Sequence, residues 1–173
     1  MRPMPVWYHE TYTEGISRSA RFPRDRYRML RERLNDLHGT GLICIESPEP
    51  VVRDTLLIAH EQDYVDRFLS GSLDTKEVRR IGLEPWTGAF LPRTMRIIGG
   101  AVEALAHVTR FGGIAANMAG GTHHSHRSFG SGYCVFNDLA ICALLARDEY
   151  GYERIAVLDL DVHQGDGTAT ILE

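Results

Sequence analysis

The stretch VLDLDVHQGDG, residues 157–167, places Asp159, Asp161 and His163 at every second position. Side chains alternate across a strand, so these three ionisable groups share one side for as long as strand geometry lasts. A carboxylate oxygen and an imidazole nitrogen two residues apart can meet on one metal ion, each at about 2.0–2.2 Å. A buried, unpaired carboxylate is costly, and a divalent cation compensates for it. A polar turn capped by aspartate shows the same triplet, so the triplet alone does not decide. A second cluster, AGGTHHSHRSFGSGYCVFND (residues 119–138), adds the neighbouring imidazoles of His123 and His124 after a Gly-Gly turn. In a turn both rings can reach one pocket, and glycine lets backbone approach a ligand closely. Two imidazoles with three carboxylates (Asp159, Asp161, Asp166) suit a metal hydrolase built on His–Asp dyads, in which the carboxylate fixes the imidazole tautomer and raises its basicity.

These clusters need elements to hold them. PVWYH (5–9) and LICIES (42–47) read as strands. Between them Tyr27, Leu30, Leu34 and Leu37 form one helical stripe, entered at Pro23 and left at Gly39 and Gly41. EQDYVDRFLSG (61–71) predicts a short helix and residues 92–113 a longer one from Pro92. GIAANMAGG (113–121) predicts a strand running into the glycine-rich turn, and residues 137–151 a helix capped by Asn137 or Asp138. RIAVLDLD (154–161) predicts a further strand of branched apolar residues. Strand and helix alternate, so the expected fold is a three-layer α/β/α domain with a mostly parallel sheet. Both polar clusters then lie where strands finish, which is where such sheets bind ligands.

Bulk properties narrow the function. The chain has 173 residues, enough for one domain with a real core, and a net charge of −4. No Lys/Arg run is interleaved with aromatics, and SRSARFPRDRYRMLRER reads as a solvated helix face, so nucleic acid is not an expected partner. Cys44, Cys134 and Cys142 form no CxxC pair or framework, which fits a reducing compartment; packing is the expected role of Cys134 and Cys142. MRPMPVWYHE has no signal-peptide apolar region, and no run approaches the roughly 18 apolar residues of a membrane span. A cytoplasmic protein with no membrane association is expected.

GGTHHSHRSFGSGYCVFND followed by VLDLDVHQGDGT resembles the histone deacetylase superfamily, zinc amidohydrolases of arginase-like fold. DVHQGDGT, with Gln164 after the histidine, is most similar to the bacterial and class IV branch. AHEQDYVDRFL (59–69) resembles the family's early H-x-x-x-Y segment, and residues 81–104 are similar to bacterial members, so the resemblance spans essentially the whole chain. It implies that Asp161 and His163 are ligands of one zinc ion, that Asp159 pairs with His123, and that Asp166 pairs with His124. His124 is then the principal general base and acid, assisted electrostatically by His123, and Gly132 and Tyr133 line a narrow acyl-lysine channel. Most members carry Phe where this chain has Tyr133, so an aromatic wall is kept with a hydroxyl added.

The implied reaction is hydrolysis of an acetylated amine, acetyl-lysine in a protein or an acetylated small molecule such as a polyamine, by metal-activated water. A structural monovalent cation is a further expectation. Ureohydrolases of the sibling arginase type use D-x-H-x-D for two manganese ions; Gly165 fills the last slot here, which argues for one metal. A third ligand Asp and an oxyanion-stabilising Tyr, which the family needs, cannot be assigned in this sequence. Because GTATILE stops at Glu173 in an early helical turn, the expectation is a single domain, 1–173, incomplete after the D-x-H motif. The competing reading is therefore a catalytically incomplete fragment or split subunit, with an oligomeric or other partner covering an open sheet edge.

Overall fold

The computed structural model describes residues 2–173; Met1, included in the expected domain range, lies outside the described residues. Along the chain run β1 (Met4–Trp7), α1 (Arg26–Gly39), β2 (Ile43–Glu46), α2 (Arg53–Leu57), α3 (Gln62–Leu69), α4 (Thr75–Ile81), α5 (Phe90–Phe111), β3 (Ala116–Asn117), α6 (Asp138–Asp148) and α7 (Asp166–Leu172). The sheet has the order β2-β1-β3 and both pairings are parallel, with Met4 opposite Ile43 and Val6 opposite Ala116.

Alternation along β1 sets the layers. Val6 packs with Ile43, Met118 and Leu34 of α1. Its neighbour Trp7 points the other way, donating Nε1–H to Glu103 of α5 at 2.5 Å and meeting the His107 ring edge-on. Helices therefore cover both faces, as expected. The larger core lies around α3, α5 and α6, with Tyr64, Phe90, Phe136 and Ile141 at 1 % exposure or less. Gly99 of α5 lies so close to the Glu49 carbonyl that a side chain there would collide with backbone. Among the described residues, no helix is long and apolar enough to cross a membrane.

Three sequence expectations are corrected. In α1 Tyr27 is buried, but Leu30 and Leu37 are each 41 % exposed, because the four-residue strands beneath leave most of the helical stripe uncovered. More consequentially, residues 154–161 form no strand. Leu158, Leu160 and Val162 are 83 %, 86 % and 93 % exposed, and among the described residues no strand pairs with them. Apolar alternation prepares a strand, but a neighbour must accept its backbone hydrogen bonds. Here the aspartates use those bonds locally: Asp159 Oδ1 accepts from the Asp161 N–H at 3.0 Å, and Asp161 Oδ1 from the His163 N–H at 2.8 Å. The expected strand 113–121 likewise contracts to the two residues of β3.

His60, 4 % exposed between Tyr64 and Phe136, is held neutral, burial pushing its pKa from 6.5 down to about 4. The unfolded chain takes up a proton between these values and the folded chain does not, so this stabilisation is complete above pH 6.5 and is lost as pH falls towards 4. Urea unfolding at pH 7 and pH 5 is expected to show a loss of about 2 kcal/mol that an H60Q variant lacks.

Candidate functional site

The sheet's carboxyl end opens into a pocket of about 400 Å³. Its lining includes His123, His124, Gly132, Tyr133, Asp161 and His163. Asp159 and Asp166 approach from behind the two imidazoles. His123 Nδ1 lies 2.6 Å from Asp159 Oδ2, and His124 Nδ1 lies 2.9 Å from Asp166 Oδ1. Because a carboxylate accepts, each Nδ1 carries a proton, and in the neutral ring it is Nε2 that keeps the lone pair. The two rings are 4.1 Å apart, and His163 meets His124 edge-on at 5.9 Å. The bond from His123 holds the Asp159 carboxyl below the usual carboxylate range, and the bond from His124 does the same for Asp166.

Asp161 and His163 converge: Asp161 Oδ1 is 2.8 Å from His163 Nδ1, with side chains 52 % and 71 % exposed. One carboxylate and one imidazole this close can contribute two donors to a cation such as zinc. Among the described residues, no group of three or more His, Cys, Asp or Glu side chains could hold a metal ion.

Backbone geometry explains the glycines. Gly132 has φ +53°, and a Cβ there would lie 2.5 Å from His124 Cδ2. Tyr133 follows at φ +68°, a left-handed conformation costing a non-glycine residue roughly 1–2 kcal/mol. Hydrogen bonds from Gly132 N to Arg80 O (3.3 Å) and from Tyr133 N to Ile81 O (2.7 Å) hold it, and Phe22 packs edge-on against the ring. At Gly165 a Cβ would stand 2.7 Å from Asp159 Oδ2, in the way of the His123 contact. A G132A variant is expected to remain folded but to displace His124, weakening its Nδ1–H resonance; imidazole ¹H–¹⁵N spectra alongside a thermal melt would check this.

Two residues that sequence reasoning treated only as candidate helix caps do more. Asn137 caps α6 through Ala140 N at 2.9 Å and also donates to Ser125 O and Thr168 Oγ1, each at 3.0 Å. Asp138 reaches back to Gly121 N (3.0 Å), Thr122 N (2.8 Å) and Thr122 Oγ1 (2.5 Å). Together they pin the backbone before and after the histidine pair. The Asn-Asp dipeptide signals a cap, but nothing in it signals partners 12 to 31 residues away. Cys134 is buried, its thiol pushed up to about 12 by desolvation, and its Sγ–H points to Gly132 O at 3.4 Å. Packing is its observed role.

The histone deacetylase domain matches residues 20–173. An uncharacterized protein of Picosynechococcus sp. is 41 % identical over 172 residues, covering 98 % of this chain and 56 % of that protein. Acetoin utilization protein AcuC of Staphylococcus aureus is 32 % identical over 137 residues, covering 70 % of this chain and 35 % of AcuC. Among solved structures, the HD domain of HDA15 superposes on all of this chain and 51 % of its own, with a TM-score of 0.82 at 17 % identity, a likeness of fold. The chain spans about half the length, or less, of these relatives. With a family match over most of its length, a fold in common and two imidazole–carboxylate pairs in one pocket, the chain belongs to the histone deacetylase domain family.

Proposed function

We propose that this chain carries the proton-transfer half of a zinc-dependent hydrolase that removes an acetyl group from an acetylated amine, acetyl-lysine or an acetylpolyamine. The observation that carries the reading is the pair of adjacent imidazoles, each backed by its own carboxylate, opening into the pocket that Asp161 and His163 line. Asp161 and His163 would contribute to holding the zinc ion, which when bound supplies Lewis acidity and lowers the pKa of water. His124 takes a proton at Nε2 as water attacks the acetyl carbon, while Asp166 holds the Nδ1 proton and stabilises the imidazolium that forms. The same Nε2 then returns the proton to the departing amine. His123, only 5 % exposed and tied to Asp159, adds a second polarised ring beside the reacting centre. Gly132 and the Tyr133 ring wall the passage for the acylated side chain. Three free cysteines support a cytoplasmic location.

A second reading is that this polypeptide acts only when joined by another chain or segment. The exposed, unpaired apolar side chains of Leu158, Leu160 and Val162 favour it, since a paired strand would cover them. One experiment separates the readings: zinc stoichiometry and hydrolysis of a fluorogenic acetyl-lysine peptide by this chain alone. Stoichiometric zinc with turnover that a chelator abolishes would sink the second reading. Turnover only after adding a polypeptide matching the relatives' remaining length would establish it. Absence of turnover under both conditions would overturn the hydrolase proposal.

A further inference from the structure

His60 lies in the core outside the pocket lining and is used neither as a donor to the possible cation nor as a proton carrier in the reaction above. Both of its ring nitrogens are nonetheless committed. Nδ1 is 2.9 Å from the His126 carbonyl, which can only accept, and Nε2 is 2.9 Å from the Asn137 N–H, which can only donate. The ring is therefore the neutral Nδ1–H tautomer, with one donor and one acceptor both satisfied. Beside it Glu61 N donates to Arg127 O at 2.8 Å, and the Phe136 ring packs at 5.0 Å.

The two backbone groups joined by His60 lie at the two ends of residues 126–137, the loop that contains Gly132 and Tyr133. His60 thus closes the neck of this loop from a segment more than sixty positions earlier in the chain. Its influence extends beyond the neck. Asn137, whose N–H it receives, sends its side chain to Ser125 O, directly after the histidine pair, and to Thr168 Oγ1 on α7. The first residue of α7 is Asp166, the partner of His124. Hydrogen bonds therefore run from His60 through Asn137 to Ser125, the residue after His124, and to Thr168, two residues after Asp166. With an apolar residue at position 60, the His126 carbonyl and the buried Asn137 N–H would lose these partners, a penalty that local movement of the loop would relieve.

We infer that His60 is a positioning residue: by bridging the two ends of loop 126–137 it fixes Asn137, whose side chain holds both the segment after His123–His124 and α7. Its consequence for catalysis rests on the proton-transfer role proposed for His124, while the geometric inference is testable without turnover. The test compares wild type, H60L and H60Q by long-range ¹H–¹⁵N imidazole spectra of the full chain, alongside thermal melts. Glutamine carries one donor and one acceptor at a similar separation; leucine carries neither. H60L is expected to lose the wild-type Nδ1–H signatures of His123 and His124, and H60Q to restore them.

A folded H60L with wild-type imidazole signatures would overturn the inference, because a merely stabilising core histidine would lower the melting temperature and leave the signatures alone. Should H60L fail to fold, H60Q decides: wild-type signatures support the bridge and altered ones refute it. In a turnover-competent preparation, H60L is expected to lower kcat about tenfold with little change in KM. Wild type without turnover, both alone and with the complementing polypeptide, sinks the proposed function, and the spectra still judge His60.

Discussion

A His124→Ala variant is expected to lose about 10²–10⁴-fold in kcat for acetyl-lysine hydrolysis, with a much smaller change in KM. The size follows from what the ring does and from how little could replace it. His124 offers Nε2 to the pocket because Asp166 binds Nδ1, and removing the ring leaves Asp166 without its imidazole partner. His123 is the nearest substitute, but it is almost fully buried and held by Asp159, so its Nε2 is already oriented for its own place. On the proposed function, zinc content should be unchanged, because Asp161 and His163 are untouched. Steady-state kinetics in a turnover-competent preparation, with zinc content measured on the same sample, would check both halves. Wild-type kcat in H124A would move the principal proton transfer to His123.

Gly167→Ala is expected to destabilise the chain by about 3 kcal/mol, near the upper end for overpacking a tight contact. A methyl group there would meet the Ser125 carbonyl and lie 2.6 Å from the His123 carbonyl, both of them backbone atoms that cannot swing aside. Relief requires α7 to lift from the histidine segment. That movement would also stretch the Thr168 N to His123 O bond (3.0 Å) and carry Asp166 away from His124. Urea unfolding should show the loss of stability, and the Nδ1–H resonance of His124 should weaken in the folded fraction. A variant with unchanged unfolding midpoint and unchanged resonance would show that α7 is not seated by this contact.

The sequence by itself determined the chemistry-bearing residues and the elements whose hydrogen bonds are local. Helices α1, α3, α5 and α6 follow from periodicity and caps, because a helix satisfies its backbone within a few residues. The alternation of Asp159, Asp161 and His163 and the Gly-Gly-Thr-His-His turn were legible for the same reason: their meaning lies in residue type and short spacing. The tertiary structure decided what depends on distant neighbours. A strand exists only where another strand accepts its bonds, so β1 and β2 form while residues 154–161, equally apolar, do not. Tyr27 is covered and Leu30 is not because coverage is a property of the layer below, which the helical stripe does not record. In the candidate site, the pairings of His123 with Asp159 and of His124 with Asp166, implied beforehand only by the family resemblance, join residues 36 and 42 positions apart, and the bridge at His60, which nothing in the sequence implied, spans 66 and 77. Such contacts leave no local periodicity, since a hydrogen bond between far segments constrains geometry in space and imposes no spacing along the chain.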